Sequence, residues 1–160
     1  MIVVSDTSPI RALAHLDQLE LLRTLFQQVL VPPAVADELE RPTSKLPPIA
    51  LVPYRFILVR APASQLEIDR LHAELDLGES EAIALALEVR ADLLLVDERA
   101  GRAVATREGL TTLGAVGVLV RAKRAGLLPA VRPLIERLEN ELNFFMSASL
   151  RKDALKSAGE

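Results

Sequence analysis

Two short apolar runs in this chain each end in an aspartate, and this pattern constrains the fold more than any other feature. Residues 2–5 read Ile-Val-Val-Ser before Asp6, and residues 93–96 read Leu-Leu-Leu-Val before Asp97. A short, uninterrupted apolar run is typical of a strand that is buried on both faces of a parallel sheet. Because ligands of open α/β sheets bind beyond the carboxyl ends of the strands, we expect both carboxylates at the working edge of one sheet.

Carboxylates that meet at a sheet edge have few stable arrangements. They repel one another unless some are protonated or a cation lies between them. Sites built only from oxygen ligands suit Mg²⁺ or Mn²⁺. The aspartates therefore favour a metal-dependent phosphoryl enzyme, with simple N-capping of the following helices as the structural alternative. A receiver-like domain, phosphorylated on an aspartate, is a more distant alternative because it also clusters acids at strand ends.

The composition bounds the size and chemistry of the protein. With 160 residues, half of them hydrophobic, the chain is predicted to form a single domain over residues 1–160, with a C-terminal helix or tail at about 147–160. The absence of cysteine excludes thiol chemistry, and a net charge of −3 means that any nucleic-acid binding relies on local basic patches. The first residues contain neither a basic segment nor a long apolar stretch, which predicts a cytoplasmic protein without a membrane anchor.

The spacing of apolar residues predicts strands and helices in alternation. The predicted strands cover residues 2–5, 28–31, 56–59, 93–96 and 110–113. Among the predicted helices, one opens at Ser8 and Pro9 with Ser8 as its candidate cap, another is capped by Ser64, and a strongly amphipathic one covers residues 79–90. Such alternation argues for an α/β fold with a parallel sheet and right-handed crossovers.

Two glutamates on predicted helices are further candidates for the same site. Glu38 lies toward the end of a short helix, where a negative charge opposes the helix dipole, so helix stabilisation does not explain it. Glu79 shares the buried face at the start of its helix, although Asp76 three residues earlier also fits a capping box with it. Glu81 cannot share a helix face with Glu79, so only one of the two can point squarely at a site.

Four segments of the chain, in this order, resemble the PIN-domain superfamily. They are Asp6-Thr7-Ser8-Pro9, Val31-Pro32-Pro33-Ala34-Val35-Ala36-Asp37-Glu38-Leu39, residues 78–86 around Glu79, and Leu95-Val96-Asp97-Glu98-Arg99-Ala100-Gly101-Arg102. Their order and spacing, and the ending from Gly114 through Phe144-Phe145-Met146 to Glu160, are more narrowly similar to the DUF3368 branch, relatives of VapC toxins. The resemblance covers essentially the whole chain.

The resemblance implies a three-layer α/β/α fold with a short, mostly parallel central sheet. It also implies a metal-dependent endoribonuclease that hydrolyses phosphodiester bonds of single-stranded RNA with Mg²⁺ or Mn²⁺, and the toxin of a toxin–antitoxin pair as a narrower role. The acidic positions fall on Asp6, Glu38, Glu79 and Asp97, with Ser8 as a supporting hydroxyl and Glu81 and Glu98 as rival ligands. The partners expected besides RNA are a small antitoxin protein and a second copy of the chain, joined through an apolar helical surface at residues 114–128.

The remaining polar residues give weaker signals. Arg99 and Arg102 follow the fourth acidic motif and are candidate contacts for RNA phosphates, with an ordinary solvated helix face as the alternative. His15 and His72 are the only histidines and fall on helices away from the acidic motifs, so serine–histidine–aspartate catalysis is a weak hypothesis. The alternative to an enzyme is a noncatalytic PIN-like module that binds RNA or a protein.

Overall fold

The computed structural model describes all residues from Met1 to Glu160 and contains one sheet of five short strands. The strands are β1 (Val3–Ser5), β2 (Val29–Val31), β3 (Ile57–Val59), β4 (Leu93–Leu95) and β5 (Thr112–Leu113). They lie in the order β3-β2-β1-β4-β5, and every neighbouring pair is parallel. The predicted α/β fold is confirmed, and the sheet is parallel throughout.

Helices cover both faces of this sheet. They are α1 (Thr7–His15), α2 (Glu20–Phe26), α3 (Pro33–Glu40), α4 (Gln65–His72), α5 (Leu77–Glu88), α6 (Arg99–Arg107), α7 (Ala115–Arg124), α8 (Arg132–Leu142) and α9 (Ala148–Ser157). Helices α1–α3 and α7–α9 pack on one face, and α4–α6 pack on the other. These three layers are the arrangement that the family resemblance implies. None of the helices is long and apolar enough to cross a membrane.

The central strands supply both hydrophobic cores. On β1, Val3 packs in the core with α1 and α2, whereas Val4 packs in the core with α4 and α5. On β4, Leu93 and Leu95 contribute to the first core and Leu94 to the second. This division follows from the alternation of side chains along a strand. Because both faces are covered, both strands consist almost entirely of apolar residues, which is why they stand out in the sequence.

Helix α5 is more deeply buried than its sequence predicted. The predicted helix over residues 79–90 is confirmed as α5, but its predicted amphipathic character was wrong, because buried residues extend around most of its circumference. The helix contacts β1 and β4 as well as α3 and α4. Small side chains at Ala82, Ala84 and Ala86 keep it narrow enough to pack among these elements.

The capping predictions for two helices have different outcomes. Asp6, and not Ser8, occupies the N-cap position of α1, and the Asp6 side chain makes no capping hydrogen bond. Ser8 lies within the first turn and donates a long hydrogen bond of 3.4 Å to Glu98. The predicted cap of α4 is confirmed, since the Ser64 hydroxyl accepts from the amide of Glu67. The purely structural explanation of Asp6 as a helix cap therefore loses its support.

The C-terminal residues are tied to the helical layer. The predicted helix or tail at about 147–160 contains helix α9, whose N-cap Ser147 accepts a hydrogen bond from the amide of Leu150. The carboxylate of Glu160 accepts hydrogen bonds from the amides of Val131 and Arg132 at the start of α8. Helix α9 is thus anchored at its end by contacts to a neighbouring helix.

Helix α7 presents its apolar residues to the core of its own chain. Val118 and Leu119 are fully buried, and α7 contacts α1, α2 and α9. The expected apolar surface at residues 114–128 is therefore largely used within the chain. A homodimer stays a prediction.

Candidate active site

The acidic residues gather where the direction of the sheet reverses. From β1 the chain moves outward to β2 and β3, and it then returns to place β4 on the other side of β1. A crevice forms at such a switch point, beyond the carboxyl ends of the two central strands. Ser5 is paired with Leu95, and the Asp6 amide donates to the Leu95 carbonyl at 2.9 Å. Asp6 and Asp97 therefore leave the sheet at the same edge, as predicted.

Asp6 is the most buried acid of this crevice, with 4% of its surface exposed. Burial raises the pKa of Asp6 to about 7, against the opposing effect of the Thr7 amide. The negative charges of Asp76, Glu38 and Glu98 raise this pKa further. A carboxylate in such surroundings is poorly stabilised as an anion unless a cation accompanies it.

Glu38 reaches the same crevice from the last turn of α3. Its Oε2 accepts a hydrogen bond of 2.9 Å from the Thr7 hydroxyl, while burial raises the pKa of Glu38 despite that bond. The guanidinium of Arg11 donates to the backbone carbonyls of Glu38 and Arg41, which fixes the end of the helix that carries the carboxylate. A side chain at Gly78 would collide with the Glu38 carboxylate, so the start of α5 leaves room for it.

Asp76 is an acid of the crevice that the sequence indicated only as a helix cap. It does cap α5, because its Oδ1 accepts from the Glu79 amide at 2.8 Å. Its negative charge also raises the pKa values of Asp6, Glu38 and Glu79, which places it in the same electrostatic neighbourhood. The Asp76-to-Glu79 spacing was the available signal in the sequence. It indicated the helix cap, but it did not indicate that Asp76 also lies near the other acids.

Glu79 lies on the first turn of α5 with 6% of its surface exposed. Only half of the predicted capping box forms, since the Glu79 carboxylate makes no hydrogen bond to the Asp76 amide. Burial and then the neighbouring Asp76 carboxylate raise the pKa of Glu79 to about 8. Its Oε2 is buried without a hydrogen-bond partner. Buried polar atoms are nearly always paired in folded proteins, so this oxygen is available for a ligand.

Asp97 flanks the other acids beyond the end of β4. Its Oδ1 accepts from the Ala115 amide at 2.8 Å, so it caps α7 and not the adjacent α6. Burial raises the pKa of Asp97 to about 6, opposed by that hydrogen bond and by the positive charge of Arg102. The nearby charge of Glu98 raises it further and links Asp97 to the other acids. Its second oxygen, Oδ2, is buried and has no hydrogen-bond partner.

The two rival glutamates occupy different surroundings. Glu98 is exposed at the N-cap position of α6, and its charge raises the pKa of Asp6, so it lies at the crevice together with Ser8. Glu81 has another partner, because its Oε1 accepts from the Ala34 amide at 3.0 Å in the first turn of α3. The structure thus brings Glu79 to the other acids and holds Glu81 at the start of a helix.

Two further glycines allow the backbone to approach these carboxylates. A Cβ atom added to Gly101 would lie 2.6 Å from Oε2 of Glu79. One added to Gly114 would lie 2.5 Å from Oδ1 of Asp97. Real Cβ contacts are longer than this, so either substitution requires the acid to move. The close approach, and not an unusual backbone angle, explains glycine at both positions.

The predicted basic and imidazole groups are distributed unevenly. Arg102 is half-buried next to Asp97, and Arg99 is exposed on the first turn of α6. His15 lies at the far end of α1, where its Nε2 is 3.1 Å from a Glu141 oxygen. His72 Nδ1 lies 2.9 Å from a backbone carbonyl beyond α4. Neither histidine contacts an acid of the crevice.

The donor set of the crevice fits a hard divalent cation. Its groups are carboxylates and hydroxyls, and two buried carboxylate oxygens, Glu79 Oε2 and Asp97 Oδ2, lack partners. As the side chains stand, no group of three acids has the spacing of a metal centre, so binding one ion through three of them requires reorientation.

The three-layer fold with acids at its switch point defines an α/β protein whose site suits cation-dependent chemistry. More particularly, the chain belongs to DUF3368, a family of PIN domains, whose family model matches residues 2–160. This confirms the resemblance inferred from the four motifs. Comparison with curated proteins gives no match. PIN domains are typically metal-dependent nucleases.

Proposed function

We propose that this PIN domain is a metal-dependent endoribonuclease that hydrolyses phosphodiester bonds of single-stranded RNA in the acidic crevice. The observation that carries the proposal is the group of acids around Asp6 at the β1–β4 switch point, with pKa values raised chiefly by burial. At neutral pH burial keeps part of this group protonated, and a bound cation would favour its fully ionised form. Family membership supports the same function, because PIN domains are typically nucleases.

The residues proposed to hold one or two Mg²⁺ or Mn²⁺ ions are Asp6, Glu38, Glu79 and Asp97, with Glu98 as a further ligand. With a divalent ion held there, these residues would gain an activated water and electrostatic stabilisation of the leaving oxygen of the phosphodiester. The unpartnered oxygens of Glu79 and Asp97 support this assignment, since a cation would satisfy both.

Neighbouring groups of the chain position the proposed ligands and the substrate. The Thr7 hydroxyl orients the Glu38 carboxylate, and the Ala115 amide holds one oxygen of Asp97 while leaving the other free. The positive charge of Arg102 lies near Asp97, which supports its proposed contact with a phosphate of the RNA. No side-chain nucleophile is required, in agreement with a chain that lacks cysteine.

The test is cleavage of a mixed pool of single-stranded RNA in Mg²⁺ or Mn²⁺ by wild type, Asp6→Asn and Asp97→Asn. Each substitution removes a charge while nearly preserving side-chain shape, and circular dichroism checks that the variants are folded. We expect cleavage by wild type, loss of cleavage in both variants, and no cleavage in EDTA. Equal cleavage by all three proteins would contradict the proposal and indicate a contaminant or another site. No cleavage in either metal would favour the noncatalytic binding module.

A toxin of a toxin–antitoxin pair is the narrower role within this proposal. A small antitoxin protein would then act by covering the acidic crevice. Induced expression of the wild type is expected to arrest bacterial growth, whereas expression of Asp6→Asn is not. Normal growth in both cases, with cleavage observed in the test tube, would contradict the toxin role and leave the nuclease proposal intact.

A further inference from the structure

A groove leads away from the acidic crevice between α7 and α9. Its volume is about 430 Å³, within the range of roughly 300–1,000 Å³ for pockets that take small ligands. Its walls are formed by β5, α7, residues 144–146 and α9. Asp97 and Arg102 also line it. The groove is therefore continuous with the site proposed to cut RNA.

Unpaired arginines give this groove its charge. Arg102, Arg121 and Arg124 line it, and none of the three forms an ion pair or a side-chain hydrogen bond within the chain. Lys123, which lies between two of them in sequence, is by contrast held by Glu160 at 3.2 Å. Arginines outnumber acids on the walls, three to two. The groove thus complements an anionic ligand, although the chain as a whole is acidic.

An exposed aromatic ring lies on the same groove. Phe145 has 90% of its surface exposed, whereas its neighbours Phe144 and Met146 pack against the core. Leu150 on α9 is 46% exposed and extends the apolar wall. An exposed phenylalanine forgoes the stabilisation that its burial would give. A flat apolar ring beside unpaired cations is the combination that binds single-stranded nucleic acid, because bases stack while phosphates meet the cations.

We propose that this groove binds the nucleotides adjacent to the scissile phosphate, with Phe145 stacked on a base and Arg121 and Arg124 in contact with phosphates. The inference rests on the proposed function, because it takes single-stranded RNA as the substrate. Continuity with the acidic crevice and the excess of arginines favour RNA over an apolar protein segment. A protein segment would bury these cations without partners unless it brought acids of its own.

The test measures RNA affinity separately from cleavage. Fluorescence anisotropy follows binding of a short, labelled single-stranded RNA of mixed sequence to Asp6→Asn protein in Mg²⁺, which keeps the RNA intact. Adding Phe145→Ala is expected to weaken binding by at least about 5-fold, the lower end of the stacking effect, and Phe145→Trp is expected to retain affinity. Phe145→Leu, which is apolar but cannot stack, should bind as weakly as Phe145→Ala.

The arginines are tested by the salt dependence of the same binding. Because each phosphate contact on a single strand contributes about 0.7 to the slope of log affinity against log salt, the double substitution R121A/R124A is expected to reduce it by about 1.4. The matched control is R55A/R90A, which removes two arginines that also lack ion pairs and precede β3 and β4, at the opposite edge of the sheet. We expect the control to keep the parent slope.

Several outcomes would overturn the groove proposal. One is equal RNA affinity in all variants, and another is absence of RNA binding by the Asp6→Asn parent. A third is a dimer that Phe145→Ala separates into monomers without a change in RNA affinity, because the groove would then be an interface between copies. Failure of the proposed function is distinguishable from these. RNA that binds through the groove and is never cut by the wild type contradicts the nuclease alone, whereas RNA that is cut equally well by the groove variants contradicts the groove alone.

Discussion

Asp6→Asn is expected to stabilise the metal-free protein at alkaline pH. Asp6 is almost completely buried, and its pKa is raised from 3.8 to about 7 in the folded state. Between these two values the folded protein holds a proton that the unfolded chain releases, so stability falls as the pH rises through this window. Above pH 7 the folded state carries the full cost of a desolvated charge. An asparagine at this position carries no such charge.

The size of the effect follows from the two pKa values. The difference between 3.8 and about 7 corresponds to roughly 4 kcal/mol of unfolding free energy, and this is the largest gain that the substitution can bring. For a chain of this length, 1 kcal/mol changes the Tm by about 2–4 °C, so the upper limit is about 8–16 °C. Near pH 5 the effect is expected to be less than half as large, because only the part of this window between pH 3.8 and pH 5 has then been crossed.

Thermal unfolding followed by circular dichroism measures this effect. Wild type and Asp6→Asn are compared in EDTA at about pH 5 and about pH 8.5, and again at the higher pH with excess Mg²⁺. We expect the Tm advantage of the variant in EDTA to be clearly larger at the higher pH than at the lower one, and Mg²⁺ to raise the Tm of wild type more than that of the variant. Asp37→Asn, at an exposed position on α3, serves as the control. A lower Tm of Asp6→Asn at high pH, or the same difference at both pH values, would refute the reasoning.

Three further substitutions test individual contacts. Gly114→Ala places a Cβ atom 2.5 Å from Oδ1 of Asp97, so Asp97 has to move. We expect a lower Tm and RNA cleavage reduced about 10- to 100-fold. Unchanged cleavage would show that the position of Asp97 does not matter for the reaction. Asp76→Ala removes the cap of α5 and is expected to lower the free energy of unfolding in urea by about 1 kcal/mol. Asp76→Asn keeps the cap, so equal losses of unfolding free energy in the two variants would contradict the capping role of Asp76. Glu160→Ala removes the acceptor for two amides of α8 and is expected to lower the Tm without changing cleavage, so a wild-type Tm would argue against this anchor.

The sequence predicted the sheet edge well because its signals are local. Strands buried on both faces appear as apolar runs, and the residue that follows each run is set by chain order alone. Asp6 and Asp97 could therefore be placed at one edge before any contact was known. The burial of α5 could not be predicted in the same way, because its alanines fit an amphipathic surface helix as readily as a helix enclosed by other elements.

Side-chain partners distant in sequence account for most of what sequence reasoning missed. Glu81 accepts a hydrogen bond from the amide of Ala34, 47 residues away, and no local pattern indicates that partner. Asp76 has the spacing of a helix cap, and that spacing is the same whether or not its charge also reaches Asp6. The groove brings Phe145 and Arg121 to Arg102 through tertiary packing alone. Motif spacing therefore indicated which acids lie near one sheet edge, but it did not indicate the side chains and amides around them.

A comparison of Glu79→Gln with Glu81→Gln tests the central claim most directly. Both glutamates lie on α5, and both substitutions remove one negative charge. Glu79 lies among the acids of the crevice, whereas Glu81 accepts a hydrogen bond from the Ala34 amide, which a glutamine oxygen can still accept. We expect the rate of Mg²⁺-dependent RNA cleavage to collapse in Glu79→Gln and to stay close to wild type in Glu81→Gln. Equal rates in the two variants, or a greater loss in Glu81→Gln, would contradict the assignment of the acidic crevice as the site that cuts RNA.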